Sequence, residues 1–276
     1  MFCPSGHCLC RTLQTLSIQV WNDLQDAENL KTPFHEDTIT QSLALHLNRQ
    51  HPGKNKVHIF SRTAEGENGS DFIWLFFDPS LNRHVRVAVQ AKRLYSSGKY
   101  DAFKAHQVPK ITTYAKIVGG QAIYLTYNYP PVSWRSRWPF WVRAKRRLGL
   151  KWIDPPRDLG LVYLEAGHLV GIADRALTPT TIAAHGRPMW HPFCTCSNTS
   201  TGDALKDLLV RLNAVPEDED VGEPKLSETP SIIRRWMVGG DVDGNELRNT
   251  LRLGEVDGEG SFSPSFLLGT IVGGSR

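Results

Sequence analysis

Apolar positions along the chain follow two different periods, and the changes of period mark the elements. Leu13, Leu16, Val20 and Leu24 recur at helical spacing and predict an amphipathic helix over residues 11–29, its apolar face covering a core. Ile39, Leu43 and Leu47 form a second stripe, predicting a helix over residues 35–48 with Pro33 tolerated near its start. Residues 56–61 read as a short strand, and 64–70 as a polar, Gly-containing loop. Then come two apolar runs, 72–77 and 85–89, parted by a polar turn with Pro79, Ser80 and Asn82, which predicts a hairpin. A helix is expected over 102–118, with Phe103, Gln107, Ile111, Tyr114 and Val118 along one face. Strands follow at 122–126 and 161–164, and a helix at 203–212 with Leu205, Leu208, Leu209 and Leu212 inward. Three strands, a helix and a strand make a mixed α/β order.

The hairpin carries the candidate chemistry. With its turn centred between Leu81 and Asn82, the register places Asp71 directly opposite Lys92. Gln90 and Lys92 then share a face, about 7 Å apart, while Val89 and Ala91 point the other way. An acid, an amide and an ammonium converge at one end of two apolar strands, a costly arrangement unless they are paired or bind something. Glu36 falls on the same helix face as Ile39 and Leu43. It serves either as a first-turn acid favoured by the helix dipole or as a further carboxylate for the site. Glu65 and Glu67, shortly before Asp71, are spare acids. Each residue also has a plainer reading. Asp71 follows Gly69 and Ser70 as a turn residue would, and a lysine at a strand end deters edge pairing. Gln107, the polar member of its stripe, either bonds within the core or reaches the site.

The Gly69-Ser70-Asp71 and Gln90-Ala91-Lys92 half-motifs resemble those of the PD-(D/E)xK nuclease superfamily, in particular its Mrr-like branch, where glutamine replaces the second acid. The similarity runs from Glu36 to Asn128. It implies a restriction endonuclease-like fold: a mixed β-sheet core flanked by helices, here with a Trp/Arg-rich insertion and a C-terminal extension. It further implies a metal-dependent phosphodiester hydrolase using Mg2+ or Mn2+. Asp71, Gln90 and Glu36 would be the ligands, Glu67 a spare one, and Lys92 the cation beside the attacking water. DNA is the implied substrate ahead of RNA, with a role in bacterial anti-phage defence, an activating partner and a homodimer among the family-based expectations.

Composition adjusts this picture modestly. The 276 residues are 40% apolar with a formal charge of +4, so a sizeable core is available and nucleic-acid binding is permitted without being demanded. There is neither an apolar run long enough to span a bilayer nor a signal-peptide start, which makes a cytoplasmic location and no membrane contact the expectation. Basic charge clusters between Pro130 and Trp152. There Trp134, Trp138, Trp141 and Trp152 interleave with Arg135, Arg137, Arg143, Lys145, Arg146, Arg147 and Lys151. Such cations neutralise phosphates and indoles stack on bases; with Arg93 and Gln107 they form the candidate nucleic-acid surface. The plainer reading is tryptophans packed on the core beneath wet charges.

Five cysteines, an odd count, argue against a secreted disulfide framework and for free or buried thiols. Cys3, His7, Cys8 and Cys10, and separately His185, His191, Cys194 and Cys196, are metal-compatible but match no strong zinc spacing. The expected organisation is a nuclease-like domain over 1–214 (core about 30–165, insertion 130–152), an acidic linker over 215–230 and a tail over 231–276. Within the tail, residues 241–246 (DVDGNE) resemble part of a calcium loop but lack its spacing and read as a turn. A non-catalytic nucleic-acid- or partner-binding module is the alternative, with Asp71 and Lys92 as a structural ion pair. A zinc-binding interaction protein is the third reading.

Overall fold

A computed structural model describes residues 8–51, 55–78, 82–100, 103–129, 154–172, 174, 177–194, 208, 212, 227–237 and 240–251. Helices α1 (Leu9–Asn29) and α2 (Glu36–Gln50) precede strand β1 (Asn55–Ile59). The expected stripes are the buried ones: Leu13, Leu16, Val20 and Leu24 on α1, and Ile39, Leu43 and Leu47 on α2. The stretch read as a polar loop is instead a helix, α3 (Arg62–Asn68), capped by the Ser61 hydroxyl, which accepts from the Ala64 N–H, and closed by Gly69 in the left-handed region at φ 73°. It is short and buries only Ala64, so it leaves no apolar stripe in the sequence.

The hairpin is β2 (Phe72–Asp78) and β3 (Arg83–Arg93). Its register pairs Phe72 with Val89 and Asp78 with Arg83. Extending that register by one residue sets Asp71 against Gln90, not Lys92. The expected pairing is therefore off by two residues, because the turn closes between Asp78 and Arg83, with Asn82 at φ 50° taking up the left-handed bend. An even slip leaves every side chain on its expected face. Asp71, Gln90 and Lys92 still point the same way.

From β3 the chain crosses through α4 (Gln107–Ile117) to β4 (Gln121–Tyr127), which runs parallel to β3 with Gln90 beside Tyr124 and Lys92 beside Thr126. Then come α5 (Pro155–Leu159), β5 (Leu161–Glu165), α6 (Pro179–His185) and β6 (Arg187–Pro188). The sheet order is β1-β2-β3-β4-β5-β6, antiparallel at every join except β3–β4. β3 is the spine of this mixed α/β sheet. It is buried from His84 to Arg93 and shielded along both faces, so its apolar run reads as continuous and not alternating.

The end of the segment read as a linker supplies a further strand, and the segment read as a tail two helices. β7 (Ser227–Glu228) pairs with Arg83 and His84 of β3, in the space that β4 does not reach. α7 (Ser231–Met237) then buries Ile232, Ile233, Trp236 and Met237, and α8 (Gly244–Leu251) follows. Asp243, in the stretch read as a turn, caps α8 through its carboxylate to the Glu246 N–H at 2.7 Å. The Trp/Arg-rich stretch 130–152, with Arg135, Arg137, Arg143, Lys145, Arg146 and Arg147, lies outside the described residues, as does most of the expected helix 203–212.

The cysteines depart from expectation. Cys10 of α1 and Cys194 are joined as a disulfide with their Cα atoms 5.1 Å apart, and Gln14 Nε2 donates toward both sulfurs at 3.7 and 3.8 Å. The pairing is illegible in the sequence because the partners stand 184 residues apart, in two clusters that each look self-contained. Closing so long a loop removes much denatured-state entropy. Reductant should therefore lower the melting temperature by about 5–15 °C, and Cys10→Ser should melt at the reduced value whether or not reductant is present. Equal melting of wild type with and without reductant would show that the bridge does not form in solution.

Candidate functional site

The polar residues gather where β3 ends against the start of α2. Asp71 stands just before β2, and its Oδ2 accepts from the Ala91 N–H and, at 2.7 Å, from Gln90 Nε2. Glu36, first residue of α2, repeats the pattern two residues further along β3. Its Oε2 accepts from the Arg93 N–H at 2.9 Å and its Oε1 from Lys92 Nζ at 3.4 Å. Each carboxylate thus engages one β3 backbone N–H and one β3 side chain. The structure therefore brings together Asp71, Gln90, Lys92 and Glu36, although Lys92 pairs with Glu36 and not with the expected Asp71.

Two local features aim this cluster. Thr40, one turn after Glu36, shares a hydrogen bond of 2.9 Å with the Tyr127 hydroxyl and so fixes the first turn of α2 against β4. Gly69 lets the chain leave α3 tightly against α4. A Cβ there would lie 3.0 Å from the Gln107 carbonyl oxygen and would have to tolerate φ 73°.

Burial sets the electrostatics. Lys92 is 3% exposed and Gln90 fully enclosed. Desolvation pushes the Asp71 carboxyl well above its ordinary value, helped by the charges of Glu36 and Glu65 and opposed by Lys92 and the Ala91 N–H. Glu36 is raised as well, first by burial, with Lys92 the main opposing influence. Of the two spare acids it is Glu65 whose charge reaches Asp71. Glu67 is exposed and lines a groove with Pro109, Lys110 and Tyr114.

A metal would need donors beyond carboxylates. Among the described residues no three His, Cys, Asp or Glu side chains are grouped to hold one, which also leaves both zinc clusters without support there. Cys3, His7 and Cys196 lie outside the described residues, and Cys10 and Cys194 are committed to each other. Gln90 supplies what is missing. Its Nε2 faces Asp71, while its Oε1 is buried with no hydrogen-bond partner. An unpartnered amide oxygen beside the Asp71 carboxylate, with Glu36 held two residues further along β3, fits the oxygen-donor preference of a hard divalent cation.

The other expected contacts divide. Gln107 is the first residue of α4, not mid-helix, and its Oε1 is likewise buried without a partner. Arg93 is buried: its Nη1 donates to the Phe34 carbonyl and its guanidinium lies 5.0 Å from the Tyr95 ring centroid, so it braces the entry to α2.

A family model described as a family of unknown function, DUF6615, matches residues 9–254. The chain belongs to that family. No curated protein matches it. The DUF6615 match spans α1 through α8, so β7 and α7 belong to the same family unit as the hairpin. Among the described residues no helix is long and apolar enough to cross a membrane.

The two carboxylates should behave oppositely on substitution. Ionising Asp71 costs the folded protein stability, because its folded value is raised. The cost is absent below its ordinary value of 3.8 and grows as pH rises through the folded value. In metal-free buffer Asp71→Asn should thus melt about 2–5 °C above wild type near neutrality, with the gap narrowing as pH falls and closing only near about pH 4. Glu36→Gln removes the partner of a buried ammonium and should melt roughly 3–10 °C lower. Thermal melts across that pH range check both, and a destabilised Asp71→Asn would contradict a desolvation-dominated Asp71.

Proposed function

We propose that the protein is a metal-dependent nuclease of restriction endonuclease-like fold, hydrolysing phosphodiester bonds in DNA. The observation that carries the reading is the unpartnered Gln90 Oε1 beside Asp71, with Lys92 and Glu36 completing the cluster. The hairpin followed by a helical crossover to a parallel strand, β2-β3-α4-β4, agrees with the core order of the superfamily that the two half-motifs resemble.

In this reading Asp71, Gln90 Oε1 and Glu36 hold Mg2+ or Mn2+. When bound, the ion neutralises charge on the phosphate and favours ionisation of water. Asp71 is fixed for this by the Ala91 N–H, and Glu36 by the Arg93 N–H, so neither carboxylate must reorganise. Gln90 in place of an acid removes one negative charge from the donor set, which makes Glu36 the second anionic ligand. Lys92 orients the attacking water and stabilises charge building on the phosphate oxygens. It must first exchange its Glu36 contact for the substrate. At 3.4 Å that contact is long for a charge-assisted bond, which favours the exchange.

A place in the cytoplasm and a role in defence belong to this proposal. The Cys10–Cys194 bridge weighs against the cytoplasm, where structural disulfides are scarce. A non-catalytic module using the same fold is the second reading, favoured by the same Lys92–Glu36 pair if it serves structure alone.

Cleavage of plasmid and single-stranded DNA decides between them. Wild type with Mg2+ or Mn2+ should cut, chelator should stop it, and Asp71→Asn and Lys92→Met should each reduce the rate by at least about a hundredfold while remaining folded. Binding of every substrate without cutting, in either metal, would favour the non-catalytic module.

A further inference from the structure

Tyr124 has a feature that packing alone does not require. It stands beside Gln90 in the parallel β3–β4 register and so shares that residue's face. Its side chain is fully enclosed, yet its hydroxyl has no hydrogen-bond partner. Ser70 Oγ, next to Asp71 in sequence, and Gln90 Oε1 are enclosed and unpartnered too. These three residues bracket Asp71 along the chain, along β3 and across to β4. The ring itself is already held: it packs on Phe103 with centroids 5.8 Å apart. Phenylalanine would fill the same space without burying an unpaired hydroxyl, so the hydroxyl is costly until something accepts from it.

We propose that the Tyr124 hydroxyl is a substrate-binding donor of this site, hydrogen-bonding a non-bridging oxygen of a phosphate bound beside Asp71. The proposal rests on the nuclease reading. Its electrostatics suit the task. A phenol is a neutral O–H donor at neutral pH. A neutral donor contacts an anionic oxygen without forming an ion pair with Asp71, which a lysine at this position would do.

Tyr124→Phe tests this with three readouts on the full chain: metal-free melting, binding of a fluorescein-labelled duplex oligonucleotide with Ca2+ in place of Mg2+, and single-turnover cleavage with Mg2+. The variant should melt at or above the wild-type temperature, because it loses only an unpaired hydroxyl. It should bind the duplex about tenfold more weakly and cleave at least about tenfold more slowly at subsaturating DNA. A melting temperature lowered by several degrees with binding unchanged would show the hydroxyl to be structural and overturn the proposal. A wild type that cuts, with a variant that binds and cuts equally well, overturns it while leaving the nuclease reading intact. Tenfold weaker binding by the variant, with a wild type that never cuts, supports the donor and removes the nuclease. A wild type that neither binds nor cuts removes both.

Discussion

Two carboxylates sit against β3, a strand buried from His84 to Arg93, and much of the surrounding structure follows from how they are kept there. Asp71 and Glu36 each take a backbone N–H from β3, Ala91 and Arg93, at positions where that strand has run past its antiparallel partner β2. Those N–H groups would otherwise need other acceptors inside the fold. The carboxylates thus satisfy the backbone of the spine at a desolvation cost that holds both above their ordinary proton affinity. That cost is only partly offset by Lys92. A cation placed beside them would relieve the remainder.

Holding β3 so deep requires cover on all sides. α1 and α2 supply apolar stripes, α4 crosses over the sheet, and β7 with α7 closes the early end of the strand. His84 and Arg86 show how polar groups on β3 are accommodated away from the site. Arg86 donates through Nε to His84 Nε2 at 2.9 Å and through Nη1 to the Val118 carbonyl at 3.2 Å, and the His84 ring meets the Thr229 hydroxyl at 3.2 Å. Both side chains are thereby engaged. At the other end Gln90 Oε1, Ser70 Oγ and Tyr124 Oη are not. The contrast is between a bonded His84–Arg86 pair and side chains around Asp71 whose polar atoms have no partner.

Periodicity makes the helices and strands of the core legible, because burial of one face leaves a repeat in the sequence. The hairpin's facing is legible as well, since an error of two residues in register preserves it, whereas the partner of Lys92 is not. Pairing across the hairpin depends on how the turn closes at Asn82, and the approach of Glu36 depends on where α2 begins against the sheet, neither of which has a local signature. α3 escapes a periodicity reading because seven residues with one buried position cannot display a stripe. The contributions of 227–251 and of the Cys10–Cys194 bridge are hidden by distance: each joins segments more than a hundred residues apart, and no local pattern encodes its partner.

The proposed function requires Asp71 and Gln90 to form a cation site. Titrating Mn2+ into the wild-type protein and into Asp71→Asn by calorimetry, without nucleic acid, tests it most directly. One Mn2+ should bind the wild type with an affinity that rises with pH, as protons leave the raised carboxyls, and Asp71→Asn should bind at least about tenfold more weakly. Equal affinity in the two proteins, or no binding to either, would contradict the account.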